Sequence, residues 1–307
     1  MRRHSSDLKG RAVVGSAIAL LGIAIVAASH SSAAPADAVP TPASGAQGSE
    51  LRVCADPNNL PFSNKAGEGF ENKLAELVAS RLNRKVVYTW WAARRGFIRN
   101  TLKAGSCDVV MSAPVGYDLV DATQPYYRST YVFVSRTDRH LDVSSITDPR
   151  LRTLRIGVHL IGDDGANTPP AHALGDEGIV ENVVGYPIYG DYRQPNPPLV
   201  LLDALAKGEL DIAAVWGPLA GYYAKSSPVP LTISAIKPEA NLAPLSFQFS
   251  ITMGVRKGDH ALQARLDDFI SRNKPEMKAL LESYGVPLVE EPAPGKDTAA
   301  QSRASAR

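Results

Sequence analysis

The sequence predicts an α/β protein with two similar lobes, because one pattern occurs twice at a fixed offset of 103 residues. The segment 51–56 recurs as 154–159, and the motif Leu-x-x-Gly-x-x-Asp at 102–108 recurs at 205–211. Each unit opens with a short apolar strand and ends with a helix, a glycine and a second strand, which is typical of parallel sheets covered by helices. Two such lobes leave a cleft at the carboxyl ends of their strands, where α/β proteins bind ligands.

The first 34 residues are predicted to be a secretory signal peptide. Four basic residues precede the uncharged apolar stretch 12–28, and the small residues at 31–34 offer a cleavage site. A retained anchor is the alternative, but the stretch is short for a membrane span. We therefore expect export to the periplasm as a soluble protein with no membrane contact after cleavage.

Composition predicts flexible segments on both sides of the folded part. Residues 35–50 are rich in Ala, Pro, Ser and Gly and indicate a flexible leader, and residues 290–307 indicate a disordered tail. Removal of the signal peptide takes a net charge of +3 from a formal total of +2, which leaves −1. A nearly neutral surface gives no electrostatic indication of nucleic-acid binding.

Apolar periodicity assigns the remaining elements in chain order. After the first strand come a helix at 70–82, a strand at 86–91, a helix at 97–102 and strands at 108–111 and 131–134. Lobe two repeats this order over 154–223, a strand at 249–255 returns the chain, and two closing helices end at Tyr284 before Gly285. We assign lobe one to residues 51–135 and 250–289 and lobe two to residues 136–249, joined by two hinge strands that permit hinge bending.

The two cysteines, Cys54 and Cys107, are predicted to form a disulfide. Cys54 lies in the first strand and Cys107 just precedes the third strand, and these strands are neighbours in a lobe of strand order 2-1-3. An oxidising compartment favours the bond. Two buried free thiols are the alternative.

The order of elements resembles that of the type 2 periplasmic binding proteins. The resemblance covers residues 51–287 and rests on motifs at 51–53, 60–62, 69–70, 102–108 and 125–127. It implies two lobes, each a mostly parallel sheet flanked by helices, joined by two hinge strands.

Three departures from amino-acid binders of this fold indicate a different ligand. Gly116 stands where those binders carry the arginine that clamps the ligand carboxylate. Trp216 stands where they carry the aspartate that faces the ammonium group, and residues 162–165 place two aspartates where an anion would bind. Binding of a free amino acid is therefore not expected.

Longer motifs are similar to the XoxJ/MoxJ family of quinoprotein-dehydrogenase-associated binding proteins. They lie at 54–64, 67–72, 88–97, 107–111 and 125–134, all within lobe one. The resemblance implies a periplasmic helper of a pyrroloquinoline-quinone (PQQ)-dependent methanol dehydrogenase, and the segments Trp-Trp and Arg-Arg-Gly-Phe favour the lanthanide-type branch. The implied partner is the dehydrogenase, and the implied role is assistance in its maturation or activation.

Candidate residues for binding a ligand or partner lie where the predicted strands end at the cleft. Trp91 and Trp216 offer aromatic surface, and the position of Trp216 is fixed by the repeat, in which its counterpart is Ala113. Arg94 and Arg95 offer positive charge for a carboxylate or an acidic partner, although solvated surface is the common fate of such a pair. The full candidate set is Asn58, Asn59, Phe62, Trp91, Arg94, Arg95, Pro114, Tyr117 and Trp216.

Neither a metal site, a cofactor nor catalysis is expected. Asp163 and Asp164 have His159 and His172 near them in the sequence, but the loop lacks the alternating ligand spacing of a calcium site. The chain contains no zinc-protease, nucleophile-elbow or P-loop motif. Beside the accessory role, the alternative is a receptor that delivers a small solute other than an amino acid to an ABC permease. An enzyme built on this fold is a weaker third hypothesis.

Overall fold

The computed structural model describes residues 49–161 and 167–290, and the elements follow the predicted order. The signal peptide, nearly all of the leader and tail, and the loop at 162–165 lie outside the described residues. The strands are β1 (Glu50–Ala55), β2 (Asn58–Asn59), β3 (Ser63–Asn64), β4 (Lys85–Trp90), β5 (Val109–Pro114), β6 (Asp121–Ala122), β7 (Tyr127–Arg136), β8 (Ile156–Leu160), β9 (Val183–Pro187), β10 (Ile212–Trp216), β11 (Leu231–Ala235) and β12 (Gln248–Val255). The helices are α1 (Phe70–Arg81), α2 (Phe97–Asn100), α3 (Pro169–Asp176), α4 (Val200–Ala206), α5 (Gly217–Ser226) and α6 (His260–Ser283).

Both lobes have the predicted strand order 2-1-3. The strands run in the order β4-β1-β5-β12-β7-β10-β8-β9, with β4, β1 and β5 parallel in lobe one and β9, β8 and β10 parallel in lobe two. Strands β12 and β7 are antiparallel to their neighbours β5 and β10. The predicted two-lobed α/β class is confirmed.

The sequence repeat corresponds to the same ionic contact in each lobe. In lobe one, the Arg52 guanidinium donates to the buried Asp108 carboxylate at 2.9 Å and to the Gly105 carbonyl at 3.0 Å. In lobe two, Arg155 donates to the Gly208 carbonyl at 2.8 Å, and its guanidinium lies 3.8 Å from Asp211. An arginine on the first strand therefore holds the start of the third strand in both lobes.

Strand β7 passes from one lobe into the other and is longer than the predicted 131–134. Its residues 127–130 pair with β12, while residues 131–136 pair with β10 and β11. The sequence pattern missed the first half because Arg128, Ser129 and Thr130 interrupt the apolar run, yet all three are buried. The pairing partner changes between Thr130 and Tyr131.

The predicted second helix is shorter in the structure than in the sequence pattern. Helix α2 spans only Phe97–Asn100, and Thr101 leaves helical dihedral angles with φ −122° and ψ −81°. Ile98 and Leu102 still pack against Cys54 and Cys107, so the apolar pattern reflects burial in a turn rather than a longer helix.

The disulfide and the closing helices agree with the sequence. Cys54 and Cys107 are bonded, with a Cα–Cα distance of 5.5 Å, and both are buried. Helix α6 is two helices joined at a kink, because Asn273 is non-helical two residues before Pro275, which cannot donate a backbone hydrogen bond. Its buried side packs on α1 and completes the core of lobe one.

Candidate functional site

The carboxyl ends of the strands in the two lobes face each other across a cleft, and a segment of lobe two reaches over it. We call residues 188–196, which follow β9, the strap. Asp56 and Asn58, which follow β1 in lobe one, hydrogen-bond to the strap. The cleft is therefore closed from one side by backbone and side-chain contacts between the lobes.

Asp56 is the centre of this contact and is only 3% exposed. Its carboxylate accepts hydrogen bonds from the Asn58 backbone N–H at 2.8 Å, from the Ala93 backbone N–H at 2.6 Å and from the Tyr192 hydroxyl. Burial and this hydrogen bond both raise the pKa of Tyr192, so its hydroxyl stays protonated and donates.

Asn58 extends the contact by two further hydrogen bonds. Its side-chain amide donates to the Gln194 carbonyl at 2.8 Å, and its side-chain oxygen accepts from the Asn196 backbone N–H at 2.9 Å. Arg94 stacks over the Tyr192 ring, with 5.0 Å from guanidinium carbon to ring centroid. We call Asp56, Asn58, Tyr192, Gln194 and Asn196 the interlobe latch.

A second polar group, Glu71, lies at the start of α1 against the wall of lobe one. Its pKa is raised from 4.5 to about 7: burial raises it, the Ser112 hydroxyl opposes part of the shift, and the nearby Asp56 adds a smaller increase. Tyr126 and Tyr127 lie close to Glu71, and burial raises the pKa of both hydroxyls. Glu71 therefore gives this wall a carboxyl group that titrates near neutral pH.

Aromatic side chains form the rest of the lining near the crossing strands. Trp216 packs in a three-ring cluster, 5.2 Å from Tyr131 and 6.0 Å from Phe249 between ring centroids. Phe62 lies 5.4 Å from Phe70 and also contacts the core of lobe two. The cluster joins the end of β10 to the two strands that cross between the lobes.

The structure brings together some of the nine candidate residues and separates others. Asn58 and Arg94 contact the strap, and Tyr117 lies near Tyr189 of the strap. Phe62 and Trp216 lie at the junction of the lobes, and Asn59 and Pro114 occupy strand positions beside the cleft. Trp91 and Arg95 follow β4 with exposed side chains, while Trp90 stacks on Tyr88.

The groups that clamp an amino acid are replaced as the sequence indicated. Gly116 occupies a turn with φ +84°, and Trp216 is half-buried among aromatic rings. Neither position presents a charge to the cleft. Polar groups beside the cleft instead include the latch, Glu71 and Ser112.

The histidines considered as metal ligands have other partners. His159 is buried with Nε2 2.9 Å from the Pro198 carbonyl, and burial lowers its pKa from 6.5 to about 4, so the ring is neutral and donates. His172 Nε2 accepts from the Asn167 backbone at 3.1 Å. Within residues 49–161 and 167–290, no three His, Cys, Asp or Glu side chains gather closely enough to hold a metal ion. In the same residues, no helix has the length and apolar character needed to cross a membrane.

Two lobes of this topology around a common cleft define the class of two-lobed periplasmic binding proteins. The sequence profile of the bacterial extracellular solute-binding proteins, family 3, matches residues 51–287, and the chain belongs to that family.

Within this family, the chain is similar to proteins named MoxJ, XoxJ and MxaJ. Protein MoxJ of Methylorubrum extorquens is 32% identical over 251 residues, covering 78% of this chain and 81% of MoxJ. The crystal structure of periplasmic binding protein XoxJ from Methylobacterium extorquens AM1 has a TM-score of 0.65 at 35% identity, covering 78% of this chain and all of XoxJ. That of MxaJ from Methlophaga aminisulfidivorans MPT has a TM-score of 0.68 at 28% identity, covering 78% of this chain and 100% of MxaJ. The resemblance to the XoxJ/MoxJ family is confirmed.

The sequence patterns single out neither the strap nor the half-buried Glu71. Tyr192 and Asn196 lie in a loop rich in Gly, Pro and polar residues, which carries no periodic signal. Apolar spacing places Glu71 only within the predicted helix at 70–82, although its position directly after the motif Gly69-Phe70 is a usable signal. Asp56 is also absent from the candidate residues, although its position as the first polar residue after β1 is a clear signal, because the carboxyl ends of strands border the cleft.

Proposed function

We propose that this protein is a periplasmic accessory factor of a PQQ-dependent, lanthanide-type methanol dehydrogenase that binds the enzyme through the interlobe cleft and assists its maturation or activation. Membership of a solute-binding family and similarity to MoxJ, XoxJ and MxaJ support a binding role associated with methanol oxidation. The observation that carries the proposal is the cleft itself, which keeps the two-lobed clamp but has lost the charged pair for a free amino acid.

The lining suits a segment of another protein. Phe62, Trp216 and Phe249 offer rigid aromatic surface, and such side chains dominate the energy of protein interfaces. Glu71 can accept a hydrogen bond from a basic or amide side chain of the guest. The latch contributes neutral hydrogen-bonding groups at Asn58 and Asn196, which also suit an extended backbone. The role proposed is binding without catalysis.

The test is a binding and activation assay with the cognate dehydrogenase. Wild type should be retained by immobilised enzyme in its metal-free form and should raise the active fraction after metal is added. Trp216→Ala and Glu71→Gln should each weaken binding about tenfold, because each removes a lining contact worth about 1–2 kcal/mol. Leu119→Ala, a change at an exposed apolar side chain of lobe one, is the matched control.

A solute receptor for an ABC permease is the second candidate, favoured by closure of the cleft through a strap. If wild type neither binds the dehydrogenase nor raises its activity, this candidate replaces the accessory role. Thermal-shift titration with small solutes then identifies the ligand, since a ligand at 100 times its Kd stabilises the folded state by about 2.7 kcal/mol. Amino acids should give no shift in either case.

A further inference from the structure

The outer face of strand β4 carries exposed apolar side chains, although the same face of the neighbouring strands is covered. Val87 and Trp91 are 40% and 44% exposed. On β1 and β5, Ile98 and Leu102 cover this face next to the disulfide. Large exposed apolar groups that lie together mark binding surfaces more often than scattered ones do.

The short helix α2 is the reason that this face stays open. In parallel sheets, helices normally cover both faces. Here α2 has four residues, and the turn that follows reaches β4 one residue before its end, where the Thr89 hydroxyl donates to the Ser106 carbonyl at 2.8 Å. The cover therefore stops short of Trp91. Strand β4 is also at the end of the sheet order, with β1 as its neighbour among the described strands.

Basic residues follow the exposed tryptophan in the sequence. Between Glu76 and Asp108 the chain has no acidic residue, and the segment around Trp91 contributes exposed Arg94, Arg95, Arg99 and Lys103. A local excess of positive charge beside a tryptophan is unusual in a chain whose total formal charge is only +2. Such a surface attracts and orients an acidic partner.

The charges at the other end of β4 limit the extent of this surface. Lys85 lies opposite Glu50 of β1 in the strand register, so its charge is partly balanced there. The excess is concentrated on the half of β4 that ends at the cleft. Arg94 leads from this half to the latch, because it stacks on Tyr192 of the strap.

We propose that Val87, Trp91, Arg95, Arg99 and Lys103, the Trp91 surface, dock an acidic face of a partner protein outside the cleft. Trp91 is the apolar anchor and the three cations surround it. This inference rests on the proposed function, in which the partner is the dehydrogenase, and it adds a second contact beside the cleft. The Ala93–Asp56 and Arg94–Tyr192 contacts connect the docked loop to the latch.

The composition of the Trp91 surface favours a protein over an anionic membrane. Tryptophan and arginine are the residues most enriched at the energetic centres of protein interfaces. Recognition of anionic lipid takes about four to eight clustered cations or a long amphipathic helix. Of the four exposed cations in this segment, Arg94 is held over the Tyr192 ring, which leaves three beside Trp91, and α2 is too short for membrane insertion.

The experiment measures the affinity of the full-length mature protein for the cognate dehydrogenase by biolayer interferometry. The variants are Trp91→Ala and the triple charge reversal R95E/R99E/K103E. Their matched controls are Leu119→Ala and K257E/K274E/K278E, which change an exposed apolar residue and three exposed lysines elsewhere on lobe one. Circular dichroism melting verifies that all variants are folded.

We expect Trp91→Ala and the triple reversal each to raise Kd about tenfold or more, with both controls within about twofold of wild type. Wild-type affinity should fall between about 50 and 300 mM salt, and the triple reversal should lose most of this dependence. If wild type binds and these variants bind equally well, the Trp91 surface is refuted and the proposed function stands. If wild type does not bind at all, the proposed function fails and this inference fails with it. Binding of phosphatidylglycerol vesicles that the triple reversal abolishes, with dehydrogenase binding unchanged, overturns the assignment to a protein partner.

Discussion

Replacing Tyr192 with phenylalanine should open the cleft. The Tyr192 hydroxyl donates to the carboxylate of Asp56, which is 3% exposed. A hydrogen bond to a charged group contributes about 1.5–3 kcal/mol, and Asp56 keeps two backbone donors in the variant, which places the loss near the lower end. A loss of about 1.5–2 kcal/mol lowers the ratio of closed to open molecules about 10- to 30-fold.

Single-molecule fluorescence transfer between one dye at Ser80 of lobe one and another at Glu181 of lobe two measures this ratio directly. Both positions are exposed, and dyes attached through unnatural amino acids leave the disulfide intact. Tyr186→Phe is the control, because Tyr186 lies on β9 and packs inside lobe two. Asn58→Ala removes the other half of the latch and should open the cleft as well. If both latch variants keep the wild-type distance distribution, the latch is not what holds the lobes together.

Three further predictions concern stability. Glu71→Gln should stabilise the protein above pH 7 by at most about 3 kcal/mol, because ionisation of the desolvated Glu71 carboxyl lowers the free energy of unfolding of wild type as pH rises from 4.5 to about 7. Urea melts of both proteins at pH 4.5 and pH 8 measure the gain in stability at each pH. Equal gains at the two pH values contradict the prediction. His159→Asn should weaken the loss of stability at acid pH. The native state keeps the His159 ring neutral, so wild type loses stability as pH falls from 6.5 to about 4; the midpoints of acid unfolding of the two proteins measure the effect. Cys54→Ser with Cys107→Ser should cost about 4 kcal/mol for a loop of 53 residues, and oxidised wild type should lose the same amount on reduction; a smaller loss on reduction than on mutation indicates that the serines disturb the core.

The fold was predictable from the sequence because two different signals agreed. The repeat predicted the same strand-helix-strand unit in both lobes, and the doubly wound class supplied its strand order 2-1-3. The arginine and aspartate at the two ends of each repeat form the contact that joins the first and third strands. Helix α1 and the closing helices followed from apolar spacing and from Gly285. These features depend on residues close in sequence or on repeated spacing.

The site was less predictable because its contacts cross long sequence distances. Asn58 and Asn196 are 138 residues apart, and no local pattern connects them. The sequence predicts both Trp91 and Trp216 at the cleft. Alternation along β4 packs Trp90 on the core of lobe one and leaves Trp91 exposed, while Trp216 is held by Tyr131 and Phe249. Which side of a strand faces a cleft follows from the register of its neighbours.

The two strands that join the lobes also fix the order in which the chain can fold. The core of lobe one combines α1 with α6, so residues near the start of the folded chain need residues 260–283 to complete their packing. The parallel strands β8, β9 and β10 have their helices α3, α4 and α5 within one continuous stretch of chain. When the chain emerges from its amino end, lobe two can fold before α6 has emerged. Until then, one apolar face of β1, β4 and β5 remains exposed. A chain cut before α6 would therefore keep a lobe two able to fold and a lobe one exposed to proteases and chaperones.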